Sequence, residues 1–174
     1  MNLQEPTIAE AGLPANGDEW LTFMLDGEEY GVEILSVEGI HGWNRATPIP
    51  NTPEHILGVI NLRGAIVPII DLRRQFGLEE IAFGPTTVVI ILRVGDEATV
   101  RTVGIVVDAV SEVYPLSQDE IRPPPDFGTN VSADYLQGLA TVDEKMLILL
   151  DVNHLISDAL LGEIVEKAAA NNVQ

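Results

Sequence analysis

Two aspartates, Asp71 and Asp151, are the side chains of this sequence that most resemble a pair of catalytic carboxylates. Such a pair can act as general acid and general base. Each aspartate also stands where an apolar strand gives way to a helical turn, and an N-cap carboxylate there accepts a backbone N–H. We therefore predict two helix caps, and a small carboxylate-dependent hydrolase remains the alternative.

The histidines and the absence of cysteine limit other chemistry. His41, His55 and His154 do not lie three or four residues apart, so no local metal pair exists. The sequence has no cysteine, no nucleophile elbow, no phosphate-binding loop and no HExxH motif. We predict no catalytic residues, no metal and no cofactor.

An arginine interrupts the apolar run GVINLRGAIVPIIDL, residues 58 to 72. Lysine and arginine number nine in the chain, against 27 aspartates and glutamates. A solvated surface arginine would contribute only about 0 to 1 kcal/mol through a local ion pair. The other interpretation is a recognition cation on a rigid hairpin, next to Gly64, which admits a partner backbone closely.

The net charge of −18 makes nucleic acid and anionic lipid unlikely partners, because both attract clustered lysine and arginine. The N-terminus lacks the basic and apolar regions of a secretory signal. Apolar runs such as VVIIL, residues 88 to 92, are far shorter than the roughly 20 residues of a membrane helix. We predict a soluble cytoplasmic protein without direct membrane insertion.

Turn residues and periodicity outline the elements. Residues 1 to 17 are poor in large apolar side chains, which predicts a disordered acidic tail. Asp26-Gly27 and Gly95-Asp96 each separate two apolar runs and predict β-hairpins. Apolar residues at helical spacing predict a C-terminal helix over 153–170, whose stripe we expect to pack on the β-structure rather than bind a partner.

The two halves of the chain repeat one pattern. TPEHILG, residues 52 to 58, matches SADYLQG, residues 132 to 138, and we predict a one-turn helix in each. The following segment, Gly58–Leu72, matches Gly138–Val152 at the same offset of 80. Upstream, three residues of the first half match three of the second at an offset of 73: Gly31, Val37 and Ile40 against Gly104, Val110 and Val113. A duplication over about 18–80 and 86–156 predicts two small packed β-barrels.

The repeat provides a control for the arginine. The first half has NLRGA where the second has TVDEK, so Asp143 stands at the position of Arg63. The flanking apolar positions persist while the turn residues change. Folding therefore does not require arginine in this turn.

Several of these segments resemble the CheW family of chemotaxis coupling proteins. The segments are EEYGVEI, NTPEHILGVINLRGAIVPIIDLR, TVVIIL, VGIVVDAVSEV, IRPPPDF, YLQGLA and KMLILLDV, and the likeness covers residues 18–156. Asn61-Leu62-Arg63-Gly64 lies in its most specific signature. The resemblance implies a mainly β fold of two SH3-like five-stranded barrels with a shared core, short helical turns and a C-terminal helix.

The resemblance also implies a non-catalytic adaptor. Members of the family bridge the cytoplasmic tip of methyl-accepting chemoreceptors and the regulatory domain of the histidine kinase CheA, so the chain is expected in the cytoplasm, recruited to membrane-associated receptor arrays. One alternative is an adaptor of another receptor or pilus-type pathway. Another is a fragment of a larger protein, either a CheA or a CheW fusion. The implied partner-binding residues are Val37, Glu38, Gly58, Asn61, Leu62, Arg63, Gly64, Val89 and Gly104.

One position departs from the family pattern. The segment that usually has the form Val-x-Glu-Ile is Val37-Glu38-Gly39-Ile40 in this chain, so glycine replaces the acid that can pair with the arginine in relatives. Either a local bulge brings Glu38 to Arg63, or Arg63 lacks an acidic partner. The sequence leaves both open.

Overall fold

The described part of the chain contains ten strands, two α-helices and two single-turn 3-10 helices, Ile34–Ser36 and Gln118–Glu120. The computed structural model describes residues 18–96, 98–124 and 135–160. The strands are β1 (Asp18–Leu25), β2 (Glu28–Glu33), β3 (Val37–Gly42), β4 (Ile56–Leu62), β5 (Ala65–Asp71), β6 (Val88–Val94), β7 (Arg101–Val107), β8 (Ala109–Leu116), β9 (Leu136–Val142) and β10 (Lys145–Leu150). The helices are α1 (Leu72–Gln75) and α2, residues 152–160.

The strands form two five-stranded SH3-like barrels. The first sheet has the order β8-β1-β2-β10-β9, and the second has the order β3-β6-β7-β5-β4. Neighbouring strands are antiparallel except for β2 with β10 and β5 with β7, which are parallel. Each sheet therefore contains strands from both halves of the chain.

One hydrophobic core joins the two sheets. Phe23 and Val32 of the first sheet pack in the same buried cluster as Ile70, Leu92 and Ile105 of the second. The inward face of each strand supplies these residues, because side chains alternate across a strand. The predicted mainly β fold of two barrels with a shared core is confirmed.

The predicted hairpin turns have the backbone conformation their residues favour. Asp26 and Gly27 adopt φ values of 55° and 83° between β1 and β2. Gly95 adopts 104° after β6. Positive φ at both Asp26 and Gly27 suits the right-handed twist of paired strands, and glycine and aspartate adopt it most readily.

The repeat is visible as matching backbone hydrogen bonds. The N–H of Asp71 donates to the carbonyl of His55 at 2.7 Å, and the N–H of Asp151 donates to the carbonyl of Tyr135 at 2.8 Å. Isolated bridges likewise join Thr47 to Val59 and Arg122 to Leu139. Asp71 corresponds to Asp151, His55 to Tyr135 and Val59 to Leu139, each at the offset of 80.

The predicted one-turn helix over residues 52–58 is wrong. The segment makes a single turn, with the N–H of Ile56 donating to Pro53, and then enters β4 at Ile56. Gly58 is not a helix stop but a strand residue with φ 143°, where a Cβ would lie 2.1 Å from the carbonyl oxygen of Thr47. The glycine thus permits a close backbone approach. In the second half, residues 132–134 lie outside the described part, and β9 begins at Leu136.

The C-terminal helix packs against the shared core. Its apolar stripe is buried in that cluster: Val152, Leu155, Ile156, Ala159 and Leu160. The carbonyl of Leu155 also accepts a hydrogen bond from the Gln75 side chain at 3.0 Å. The predicted tail over 1–17 and the rest of the predicted helix lie outside the described residues.

Candidate functional site

Arg63 occupies the tip of the β4–β5 hairpin. Its φ is 55° and that of Gly64 is 88°, so both central residues of the turn lie in the left-handed region. The side-chain oxygen of Asn61 accepts a hydrogen bond from the N–H of Gly64 at 2.8 Å and closes the turn. Asn61 and Gly64 therefore fix the backbone conformation of the turn that presents the Arg63 side chain.

An open groove of about 380 Å³ contains Arg63. Its lining comes from five strands of the second sheet and their turns: Glu38, Gly39, His41, Leu62, Arg63, Ala65, Val67, Ile91 and Thr102. The lining lies on the second barrel and includes no residue of the first sheet. Leu62, Val67 and Ile91 give the groove an apolar floor, and Arg63 is exposed beside it.

Glu38 lies in the same groove but makes its ion pair elsewhere. Val37 pairs with Leu92 and Gly39 pairs with Ile91, so Glu38 is the extra residue of a β-bulge. Its Oε2 lies 3.9 Å from Nη1 of Arg93. Within the described residues no carboxylate oxygen lies within 4.0 Å of the Arg63 guanidinium, so the bulge does not provide its partner.

Three of the implied site residues are buried in the fold. Val89 and Gly104 pack together, and a Cβ at Gly104 would lie 2.8 Å from Val89 Cγ1 and 2.7 Å from Ile69 Cδ1. Gly58 is enclosed by the Thr47 backbone. These residues shape the barrel behind the groove, and Val37 is half-buried against the shared core.

The structure thus places Glu38, Leu62 and Arg63 together in the groove lining. The buried residues Gly58, Val89 and Gly104 are not part of that lining. The resemblance did not indicate Gly39, His41, Ala65, Val67, Ile91 or Thr102 as lining residues. Once the pairing of β3 with β6 is known, the alternation of side chains along each strand is enough to identify these residues as candidates for the groove lining. That pairing is non-local and contains the bulge.

The two aspartates cap separate helices, as predicted. Asp71 accepts a hydrogen bond from the N–H of Arg73 at 3.1 Å at the start of α1. Asp151 accepts one from the N–H of His154 at 3.2 Å at the start of α2. Burial raises the pKa of Asp71. Among the described residues, no group of three or more histidine, aspartate or glutamate side chains is placed to hold a metal.

The counterpart of the Arg63 turn carries the opposite charge. Asp143 and Glu144 adopt φ values of 53° and 67° at the tip of the β9–β10 hairpin. Burial, followed by the carboxylates of Glu112, Glu29 and Asp143, raises the pKa of Tyr114 nearby. The same hairpin geometry therefore presents a cation on one barrel and acids on the other.

These features define a double-barrel module with a cation at the rim of an apolar groove. No helix in the described part of the chain is long and apolar enough to cross a membrane. The family model of the CheW-like domain matches residues 19–160. The chain belongs to the CheW family of chemotaxis scaffold proteins.

Individual relatives agree with this assignment. The chain is 46% identical over 151 residues to the chemotaxis protein CheW of Klebsiella aerogenes, covering 87% of this chain and 89% of that protein. It is 36% identical over 149 residues to CheW of Rhizobium meliloti, covering 84% and 92%. The crystal structure of the scaffolding protein TtCheW from Thermoanaerobacter tengcongensis superposes with a TM-score of 0.72 at 35% identity, covering 80% of this chain and 87% of that one.

Proposed function

We propose that this protein is a non-catalytic adaptor that couples transmembrane chemoreceptors to the histidine kinase CheA in signalling arrays. Its partners are the cytoplasmic tip of methyl-accepting receptors and the regulatory domain of CheA. It works in the cytoplasm and is recruited to the membrane by its partners. Membership of the CheW family supports the role.

The unusual situation of Arg63 is the observation that carries the proposed binding site. A residue other than glycine in the left-handed region costs about 1 to 2 kcal/mol, and asparagine and aspartate tolerate it best. Asp143 meets that preference in the first barrel, whereas Arg63 in the second does not. With no carboxylate within 4.0 Å among the described residues, ion pairing does not account for the arginine either. Recognition of a partner does account for it.

The groove has the composition of a small protein-binding site. Leu62, half-buried above the core residues Val67 and Ile91, provides apolar contact area, while Arg63 provides a planar donor that fixes orientation. Arginine is enriched among residues that dominate interface energies. We assign receptor contact to Arg63, Leu62 and Glu38, with Val37 and the buried Gly58, Val89 and Gly104 supporting the surface from behind.

The test compares Arg63→Ala with Asp143→Ala, its matched control on the other barrel. Thermal melting of the full chain should place both variants near wild type, because exposed turn residues contribute little to folding. Titration against a receptor cytoplasmic fragment should show Arg63→Ala weakened by about 2 kcal/mol, as for a hot-spot arginine. Asp143→Ala should bind this fragment like wild type.

Titration of the same variants against the CheA regulatory domain completes the test. The unsubstituted chain should bind both partners. An Arg63→Ala variant that melts far below wild type and binds normally once folded would make the arginine structural. Failure of the unsubstituted chain to bind either partner would reject the adaptor role.

A further inference from the structure

The group that Arg63 recognises follows from what surrounds it in the groove. The guanidinium is exposed on a fixed turn, and among the described residues no acid neutralises it. Glu38, the acid in the same lining, lies 3.9 Å from Arg93. In a chain of net charge −18, Arg63 is thus a cation left available to an incoming group.

Gly39 leaves space beside this cation. It lines the groove with Arg63, and its φ does not require glycine. A Cβ there would meet only the His41 ring, at 3.5 Å, which is an ordinary van der Waals contact. Packing therefore does not explain the missing side chain, and the space is open to a side chain from outside.

Resting on the proposed function, we infer that the receptor places a side-chain carboxylate against Arg63, flanked by an apolar side chain that covers Leu62. A planar carboxylate matches the two-pronged donor geometry of guanidinium. A phosphate fits less well, because phosphate sites cluster several cations, whereas the lining of this groove contains one arginine and the acid Glu38. The partner thus supplies the acid that the groove lacks.

The first test is the sign of the charge at position 63. Arg63→Gln and Arg63→Glu are titrated against the receptor cytoplasmic fragment, using the full chain. Arg63→Gln loses the ion pair, whereas Arg63→Glu also repels the carboxylate, so the second should bind at least tenfold more weakly than the first. Arg122→Gln and Arg122→Glu make the same changes in net charge at an exposed site on the other barrel, and they should bind alike.

The second test fills the space at Gly39. Gly39→Gln and Gly39→Glu add side chains of equal size, and thermal melting verifies that both fold. An introduced carboxylate opposes binding whether it pairs with Arg63 or faces the receptor acid directly. Gly39→Glu should therefore bind the receptor fragment at least fivefold more weakly than Gly39→Gln, with the difference shrinking at high salt.

The outcomes separate this inference from the proposed function. If Arg63→Gln binds the receptor fragment more weakly than wild type and Arg63→Glu binds no more weakly than Arg63→Gln, Arg63 is a contact residue but the group it contacts is not a carboxylate. Equal binding by Gly39→Gln and Gly39→Glu also overturns the carboxylate. A sign dependence seen only with the CheA regulatory domain overturns the receptor as its source. Normal binding by every Arg63 variant rejects the site itself.

Discussion

Arg73 holds the carboxylate of Asp108 with two parallel hydrogen bonds. Its Nε donates to Oδ1 at 2.9 Å and its Nη2 donates to Oδ2 at 2.8 Å. The Arg73 side chain is 8% exposed and that of Asp108 is 24% exposed. The backbone N–H of Asp26 also donates to Asp108, at 2.9 Å. This cluster joins α1 of the second barrel to the first hairpin of the other barrel.

Removing the arginine from this cluster should destabilise the fold. Arg73→Ala leaves the Asp108 carboxylate without its partner in a partly buried site, which should lower the free energy of unfolding by about 3 kcal/mol. Arg93→Ala, which removes the exposed pair with Glu38, should cost about 0 to 1 kcal/mol. Urea denaturation of the two variants measures the difference. Equal losses would show that the Arg73 pair contributes no more than a surface contact.

The same pair should make stability depend on pH. The hydrogen bonds from Arg73 lower the pKa of Asp108 in the folded state below its ordinary value of 3.8. A carboxyl whose pKa is lower when folded contributes stability above pH 3.8 and loses it as the pH falls through the folded value.

The comparison that isolates this group is Asp108→Asn against wild type. Between pH 5 and pH 2.5 the free energy of unfolding of the wild type should fall more steeply than that of the variant. Denaturant titrations at a series of pH values measure both slopes. Parallel curves would mean that the pKa of Asp108 is the same in the folded and unfolded states.

Two isoleucines on β5 should differ sharply in their contribution to stability. Ile69 is fully buried, whereas Ile66 on the same strand is 63% exposed. Ile69→Ala should cost about 2 to 5 kcal/mol through lost burial and a cavity. Ile66→Ala should change stability by less than about 0.5 kcal/mol. Thermal melting compares them, and a similar cost at both positions would contradict the assigned facing of the strand.

The two hairpin tips allow a test of backbone strain. Glu144 has φ 67°, so Glu144→Gly should raise the free energy of unfolding by about 1 kcal/mol. Gly64 is its repeat counterpart at φ 88°, with nothing within 4 Å of an added Cβ, so Gly64→Ala should lower it by about 1 kcal/mol. Chemical denaturation gives both values. Changes of the same sign would refute strain as the cause.

Much of the fold follows from local patterns in the sequence. The Asp26-Gly27 turn, the alternating strands and the apolar stripe of the last helix each depend on neighbouring residues. The duplicated pattern predicted two small packed β-barrels, and the chain forms two, each with strands from both halves. The helix predicted over residues 52–58 was wrong, because Thr52, Pro53 and Gly58 are residue types typical of the start and end of a helix. In the structure Gly58 accommodates the Thr47 backbone, a contact that local patterns do not reveal.

The site was predictable in part. The turn containing Arg63 stood out because its repeat counterpart is acidic. The pairing of Glu38 with Arg93 could not be inferred, since it depends on a bulge in the pairing of β3 with β6, some 50 residues apart in sequence. The bidentate contact of Arg73 with Asp108 also joins distant segments, and no periodicity marks either residue.

The mixing of chain halves within each sheet constrains how the protein is made. The second sheet needs β7, which ends at Val107, and the first needs β10, which ends at Leu150. A nascent chain that has left the ribosome only as far as residue 80 holds β1 to β5 but lacks β6 and β7 of the second sheet and β8 to β10 of the first. Because closure requires contacts between distant segments, it is slow relative to local hairpin formation. The second barrel therefore cannot close before Val107 has emerged, nor the first before Leu150, and cutting the chain between the repeats yields two unfinished pieces rather than two domains.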